Sequence, residues 1–355
     1  MKKDADKTGT GLLEAMHVAQ TIAWGPLLFQ AARVMRDRGL LAALRQGGPL
    51  GMTPAELAQA TNTSEYGVIV LLEAGLAAKL IEKEGERFRA TRAGHLLDRD
   101  EMARVNMNFV HDVCYRAAAH LDTSIAEGRA TGLVELGTWP TVYEGLQELP
   151  EPAKTSWFEF DHFYSDDSFP LILDRVFRNK PRRIMDIGCN TGKFALKVLA
   201  RDPEVQLTAV DLPAQIEKCR QNVERAGHGA RARFFPTSVL SLETEFPPEH
   251  DVLWMSQFLC CFSEPEIVHI LSVAKRAMGN NARLLIMDNL WDVQKNDIAA
   301  MCLQATSLYF TVVANGNSRM YDRGTLVRCV ERAGLRVVDE THHIGWGHSI
   351  VECAV

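Results

Sequence analysis

The chain has 355 residues, enough for about two domains and a sizeable core. Hydrophobic residues make up 46% and charged residues 24%, which excludes a disordered or fibrous chain. A net charge of −6 supplies no global positive field for phosphate backbones, so nucleic acid is not an expected partner and a small-molecule enzyme is the better expectation.

The opening MKKDADKTGT is polar and reads as frayed chain; no apolar run follows its lysines, so it is not a signal peptide. The longest charge-free stretch, 15–32, carries His17, Gln20, Gly25 and Pro26, a mixture that argues against a membrane span. Cys114, Cys189, Cys219, Cys260, Cys261, Cys302, Cys329 and Cys353 form no CxxC pair and are scattered through apolar segments. That is the pattern of reduced thiols in a cytoplasmic protein, not of a disulfide frame. No histidine or acid cluster has metal-ligand spacing, so no metal site is expected.

From Leu12 to about Leu44 the pattern is helical, and Gly25-Pro26 is expected to end one helix and begin another. Thr53-Pro54-Ala55-Glu56 reads as a helix start, with an N-cap, a proline in the first turn and an acid behind it. A second short helix fits Ser64 to Ala78, and strand-like pieces at Leu80-Ile81 and Arg87–Ala90 flank a turn at 83–86. Helix, helix and hairpin make a winged-helix pattern. The helix that would enter a DNA groove has one basic residue and two glutamates, so packing and dimerisation through the apolar 15–32 stretch is the better reading.

The segment from Thr91 to about Asn179 is mostly helical and dense in aromatic and ionisable residues. After Pro181, short apolar runs alternate with helical stretches: RIMDIGC, QLTAVDL, RARFFPTS, DVLWMSQ, RLLIMDN, LRVVDE and SIVECAV. That alternation predicts an α/β fold with a mostly parallel, Rossmann-like sheet, its last two strands pairing antiparallel at an edge. The expected organisation is therefore 1–100 as a winged-helix-like domain, 101–179 as a helical linker and acceptor-pocket segment, and 180–355 as the cofactor-binding domain.

Asp186-Ile187-Gly188-Cys189-Asn190-Thr191-Gly192 follows the first of these strands and opens a helix, and Asp211 closes the second. Glycines let a ligand approach the backbone, and an acid at the second strand tip can accept both ribose hydroxyls of a nucleoside. A dinucleotide turn would aim N–H groups at a pyrophosphate. Asp186, two residues before the first glycine, repels a pyrophosphate but suits an ammonium. S-adenosylmethionine carries a ribose and an ammonium and no phosphate, and is favoured over NAD.

The stretches NFVHDVCY, WPTVYEGL, WFEFDHFYSD, MDIGCNTGKFA, VDLP, WMSQFLCCFSE and SLYFTVVANGNS resemble the bacterial branch of the dimeric class I methyltransferases that includes hydroxyindole and caffeate O-methyltransferases. Within it, the chain resembles a subgroup found in aryl polyene and flexirubin-type pigment clusters. The resemblance covers nearly the whole chain. It implies an N-terminal winged-helix dimerisation domain, a homodimer, and a Rossmann-like catalytic domain binding S-adenosylmethionine. It implies cofactor contacts at Asp186, Gly188, Asn190, Gly192, Asp211 and Leu212, at Ser238 and Val239 beside adenine, and at Ser256 and Gln257. Cys189 stands where many relatives carry a third glycine; a thiol this small is expected to fit, with crowding of the methionine end as the alternative.

Relatives use a histidine in an L-H-D-W-S-D-E stretch as general base; here the stretch reads Leu259-Cys260-Cys261-Phe262-Ser263-Glu264, with Cys260 at the base position. The carboxylates that orient that histidine map onto Asp288 and Ser318. A thiol of ordinary pKa is mostly protonated at neutral pH, so Cys260 reads as a pocket-lining residue before a base. His162 with Asp161, and His111 with Asp112, are the other candidates for proton transfer. Tyr115, Trp157, Phe160, Tyr164 and Asn315 are the candidates for lining an aromatic acceptor site, by the resemblance.

The expected activity is methyl transfer to a small phenolic acceptor, free or bound to an acyl carrier protein. Loss of the usual base and the pigment-subgroup resemblance lean towards methylation at a ring carbon. O-methylation with another base and non-methyl chemistry on the same cofactor stay open, as does a nucleoside-sensing winged-helix regulator.

Overall fold

A computed structural model describes residues 11–355; the frayed start expected over 1–10 lies outside the described residues. The chain forms two compact units that divide after Met107.

The first unit holds α1 (Leu12–Asp37), α2 (Leu40–Gln46), α3 (Pro54–Thr61), α4 (Glu65–Ala77), the hairpin β1 (Ile81–Glu84) and β2 (Arg87–Ala90), and α5 (Arg92–Arg99), with α6 (Glu101–Phe109) crossing the boundary. The caps are where the sequence puts them. Glu56 donates its N–H to Thr53 Oγ1 while Glu56 Oε2 accepts from the Thr53 N–H, and Ser64 accepts from the Gly67 N–H. Met35, Leu40, Leu41, Leu44, Leu57, Val68 and Leu72 pack into one core.

The break expected at Gly25-Pro26 is not there: α1 runs through both residues. An internal proline removes a backbone bond and its ring crowds the preceding turn, at a cost of about 3 kcal/mol that packing elsewhere must offset. Beyond the proline the helix is held by Ala32 and Met35, which are buried in the core of this unit.

In the second unit, α7 (Leu121–Glu127), α8 (Val142–Gly145), α9 (Ala153–Ser165) and α10 (Phe169–Val176) precede a seven-stranded sheet. Its strands are β3 (Arg183–Ile187), β4 (Gln206–Asp211), β5 (Ala232–Pro236), β6 (His250–Ser256), β7 (Met278–Asp288), β8 (Arg336–Ile344) and β9 (His348–Ala354), in the order β5-β4-β3-β6-β7-β9-β8. The first five run parallel, while β9 pairs antiparallel with both β7 and β8. The connecting helices are α11 (Lys193–Arg201), α12 (Pro213–Arg225), α13 (Glu264–Ala277), α14 (Asp297–Tyr309) and α15 (Arg323–Arg332).

The period-2 alternation of the strands divides their side chains between two cores. Met185, Ile187, Leu253 and Met255 enter one core with Ile267 and Ile270 of α13. Ile184, Val252 and Trp254 enter the other with Phe194 and Val198 of α11, Trp254 stacking on Phe194 at 4.4 Å. Of the segment expected over 101–179, residues 108–179 belong to the same compact unit as the sheet and 101–107 to the first unit. The chain order reverses beside β3, between β4 and β6, and the carboxyl ends of strands at such a switch point form a natural ligand crevice.

Candidate active site

The β3–α11 turn is shaped by contacts that exclude side chains. Gly188 (φ 79°) faces the Phe258 ring, which an added Cβ would meet at 2.3 Å. Gly192 (φ 82°) faces the Cys219 sulfur, 2.7 Å from such a Cβ. Between them Asn190 takes φ 45°, a left-handed conformation that asparagine tolerates better than other side chains. The Asn190 N–H donates to Asp211 Oδ2 at 2.8 Å, and the Leu212 N–H to Asp211 Oδ1 at 2.7 Å. The carboxylate at the tip of β4 is thereby fixed, and each oxygen keeps a lone pair for a hydroxyl.

Burial raises Asp211 to a pKa of about 6, against the pull of those two N–H groups. Asp186 is 2% exposed, and burial together with the charge of Asp211 pushes it to about 8. Its Oδ2 is buried with no hydrogen-bond partner among the described residues, as are Asn190 Oδ1, Thr191 Oγ1 and Ser256 Oγ. Asn190 Oδ1 accepts only, Asp186 does so once ionised, and the two hydroxyls can accept, so the set fits an N–H-rich cation better than an anion. The residues present therefore fit S-adenosylmethionine: Asp211 for the ribose, Asp186 and Asn190 for the ammonium.

A cavity of about 270 Å³ opens above this turn. Asp186, Gly188, Asn190, Asp211, Leu212, Ser238, Val239, Ser256 and Gln257 line it. Gly192 does not; it lies behind the turn, where it makes room for Cys219. Cys189 lines the cavity too, its thiol lying against the Asn190 carbonyl at 3.9 Å.

From the helical segment, α9 brings Trp157, Asp161, His162 and Ser165 to the wall. Trp157 is anchored by its indole N–H, which donates to the Tyr309 hydroxyl at 2.7 Å. His162 Nδ1 lies 3.5 Å from Asp166 Oδ1 and 3.9 Å from Asp161 Oδ2. Burial pushes Asp166 up, but its bonds to His162 and to Lys193, whose Nζ is 3.0 Å away, outweigh this and hold it low. Asn315 follows a wide π-helical turn, Phe310–Ala314, and its side-chain N–H donates to the Cys261 carbonyl at 2.6 Å.

Several expected residues lie elsewhere. Phe160 and Tyr164 are not in the lining: Phe160 stacks on Phe109 at 4.0 Å, with Tyr164 edge-on to it. They occupy the helical stripe next to the one that carries Trp157 and Asp161, which places them one face round. His111 and Tyr115 are likewise outside the lining; beside His111, Asp112 accepts from Ser156 Oγ at 2.6 Å. Cys260 does not line the cavity either. It is 6% exposed and packs in the aromatic core with Trp157 and Tyr309, while Cys261 takes the place at the wall. The Cys261 thiol, burial and the negative Asp288 together push the Cys260 thiol well above its ordinary pKa. Asp288, raised by burial to about 6, is hidden behind it, and Ser318 Oγ donates to Asn315 Oδ1 at 2.9 Å.

The lining also includes residues the sequence did not single out. Tyr143, at α8, lies against the Cys261 thiol, and its carbonyl accepts from Gln215 Nε2 at 2.9 Å. Gln215 and Glu266 belong to the first turns of α12 and α13. The signal available was position: each lies just after a parallel strand's carboxyl end or in the helical segment above it.

Residues 171–334 match the model of the O-methyltransferase domain, and residues 16–88 that of the Dimerisation2-like domain. Among characterised proteins, the chain is similar to O-demethylpuromycin-O-methyltransferase of Streptomyces alboniger, with 27% identity over 75% of this chain and 70% of that one. It is also similar to aclacinomycin 10-hydroxylase RdmB of Streptomyces purpurascens, with 26% identity over 77% of this chain and 70% of that one. In fold it resembles the crystal structure of the S-adenosylmethionine-dependent methyltransferase SibL, with a TM-score of 0.71 and 21% identity over 95% of this chain and 98% of that one.

Proposed function

We propose that this chain, an S-adenosylmethionine-dependent methyltransferase of the O-methyltransferase superfamily, methylates a small hydroxyl-bearing aromatic acceptor, with His162 receiving the acceptor's proton. The observation that carries the reading is the cavity itself. Its lining joins the acidic, glycine-shaped turn to Trp157, His162, Tyr143, Phe258 and Phe262. Apolar and aromatic walls with a few polar groups suit a flat ring bearing one or two hydroxyls.

The bound cofactor supplies an electrophilic methyl group on a sulfonium. The chain's own work is to align the acceptor and take up a proton. Alignment within about 3–3.5 Å of the methyl carbon supplies much of the acceleration. Among the histidines of the described residues, only His162 is in the lining, with Asp166 Oδ1 3.5 Å from its Nδ1.

A phenolate reacts at oxygen or at the ortho carbon, and the pocket decides. We favour the ring carbon, because the position that relatives use to deprotonate an oxygen acceptor holds Cys260, turned into the core with its thiol pushed up. Transfer to oxygen is the second reading, supported by the similarity to O-demethylpuromycin-O-methyltransferase. The pigment-cluster subgroup, a carrier-bound acceptor and a cytoplasmic location belong to the proposal on the sequence alone. The test is incubation with methyl-labelled cofactor and a pool of phenols, followed by mass spectrometry and carbon NMR of the product. An aryl-methyl resonance supports carbon transfer and a methoxy resonance oxygen transfer. No labelled phenol at all would sink the acceptor class.

A further inference from the structure

Asn190 touches three parts of the site at once. Its backbone N–H donates to Asp211 Oδ2 at 2.8 Å, and its side-chain Nδ2 donates to Asp161 Oδ2 of α9 at 3.0 Å. That leaves Oδ1, which is buried and has no hydrogen-bond partner among the described residues. The orientation of the carboxamide follows from its neighbour: an ionised carboxylate only accepts, so the amide must turn its nitrogen to Asp161 and its oxygen away. Asn190 and Asp186 both line the cavity, and Asp186 Oδ2 is buried without a partner as well.

We infer that Asp161 is a positioning residue for the amino-acid end of the cofactor. By accepting from Asn190 Nδ2, it presents Asn190 Oδ1 to the cofactor's ammonium, and it links that end of the ligand to α9. The same helix carries Trp157 and His162 to the cavity wall, so filling the amino-acid pocket orders the acceptor side of the site. The coupling is reciprocal: an acceptor that holds α9 in place tightens the cofactor. Asp161 itself touches no reacting atom; it acts through Asn190. The inference rests on the cofactor assignment and is independent of which acceptor atom is methylated.

Two ligands separate this role from that of a simple strut. S-adenosylhomocysteine has the amino-acid end, whereas 5′-methylthioadenosine has the nucleoside and thioether alone. In Asp161→Ala, calorimetry should show S-adenosylhomocysteine weakened by about tenfold, the size of one lost hydrogen bond to a charged group, with methylthioadenosine within about twofold of wild type. Asp161→Asn, which keeps an accepting oxygen, should restore most of the affinity. Equal losses for both ligands, or none for either, would overturn the assignment. Should Asp161→Ala not fold, hydrogen exchange on the wild type decides. S-adenosylhomocysteine should slow exchange over 153–165 and saturating methylthioadenosine should not; equal protection by both refutes the link. A wild type that binds neither ligand would refute the cofactor assignment itself, and this inference with it.

Discussion

Cys260 donates its backbone N–H to Asp288 Oδ2 at 3.2 Å, and the other oxygen of that carboxylate takes the Asn289 N–H at 2.9 Å. By the resemblance noted in the sequence, the matching acid would orient a catalytic histidine. Here it is tied to backbone, with a buried thiol in front of it, and the cavity wall is one residue further on at Cys261.

Cys260→Ser should therefore be mild. Serine is nearly isosteric and finds Asp288 beside it, so kcat should stay within a few-fold of wild type. His162→Gln should lower kcat by about 10²–10⁴-fold, the range general-base catalysis supplies, while cofactor affinity holds. The opposite result, a collapse in Cys260→Ser with His162→Gln near wild type, would return the base to the thiol.

The sheet was readable in the sequence because parallel strands buried on both faces leave short, nearly unbroken apolar runs such as Ile184–Ile187 and Val252–Met255. The caps at Thr53 and Ser64 were readable because their chemistry is local. Failures arose where a choice depends on distant surroundings. Composition cannot say whether packing carries a helix through a proline, and α1 runs on through Pro26. The stripe of α9 that meets the cavity is set by what packs behind it, so Trp157 and Asp161 reach the wall while Phe160 goes to Phe109. Cys260 and Cys261 are adjacent, and only the backbone decides which one faces the ligand.

A buried ion cluster was also beyond reach of the sequence, because its members lie far apart in the chain. Glu352 of β9 is 2% exposed and accepts from Arg175 and Arg178 at the end of α10, with Arg283 Nη1 at 3.9 Å. Arg283 in turn donates to the carbonyls of Arg175, Val176 and Arg178, fastening α10 to the sheet. Glu352→Ala takes the carboxylate from Arg283, while Arg175 keeps Asp339 at 2.7 Å and Arg178 is half exposed, so it should cost about 1–3 kcal/mol in urea unfolding. A loss below about 1 kcal/mol would show that water replaces the carboxylate at little cost.

Along α1, Leu12, Leu13, Ile22 and Leu27 are all more than 60% exposed, an apolar face that isolated domains rarely leave to water. The Dimerisation2-like match begins within this helix. We predict a homodimer through this face, so light scattering should give twice the 39.6 kDa chain mass. Ile22→Glu with Leu27→Glu should yield monomers of unchanged helix content. A wild-type monomer at micromolar concentration would exclude the prediction.

The cofactor site makes a pH prediction whose sign is fixed by Asp186. Burial and the nearby Asp211 raise it to about 8, so without ligand at pH 7 it mostly holds its proton. An ammonium is best received by the ionised form, so binding must expel that proton. Affinity for S-adenosylmethionine should then rise with pH, by up to tenfold per unit below about pH 8, and stop rising where the ligand's own ammonium begins to lose its proton. Asp211, at about 6, steepens the dependence only below that value. At fixed pH 7, the calorimetric binding enthalpy should differ between phosphate and Tris by nearly the difference in their ionisation enthalpies, because one proton is released to buffer. Asp186→Asn should abolish most of that buffer dependence. Asp211→Ala should instead weaken binding by about a hundredfold through loss of the ribose bonds, and it should lessen but not abolish the proton release, because burial still raises Asp186 once the charge of Asp211 is gone. Binding independent of both pH and buffer between pH 6 and 8 would mean that Asp186 is already ionised before the cofactor arrives, and would remove it from ammonium recognition.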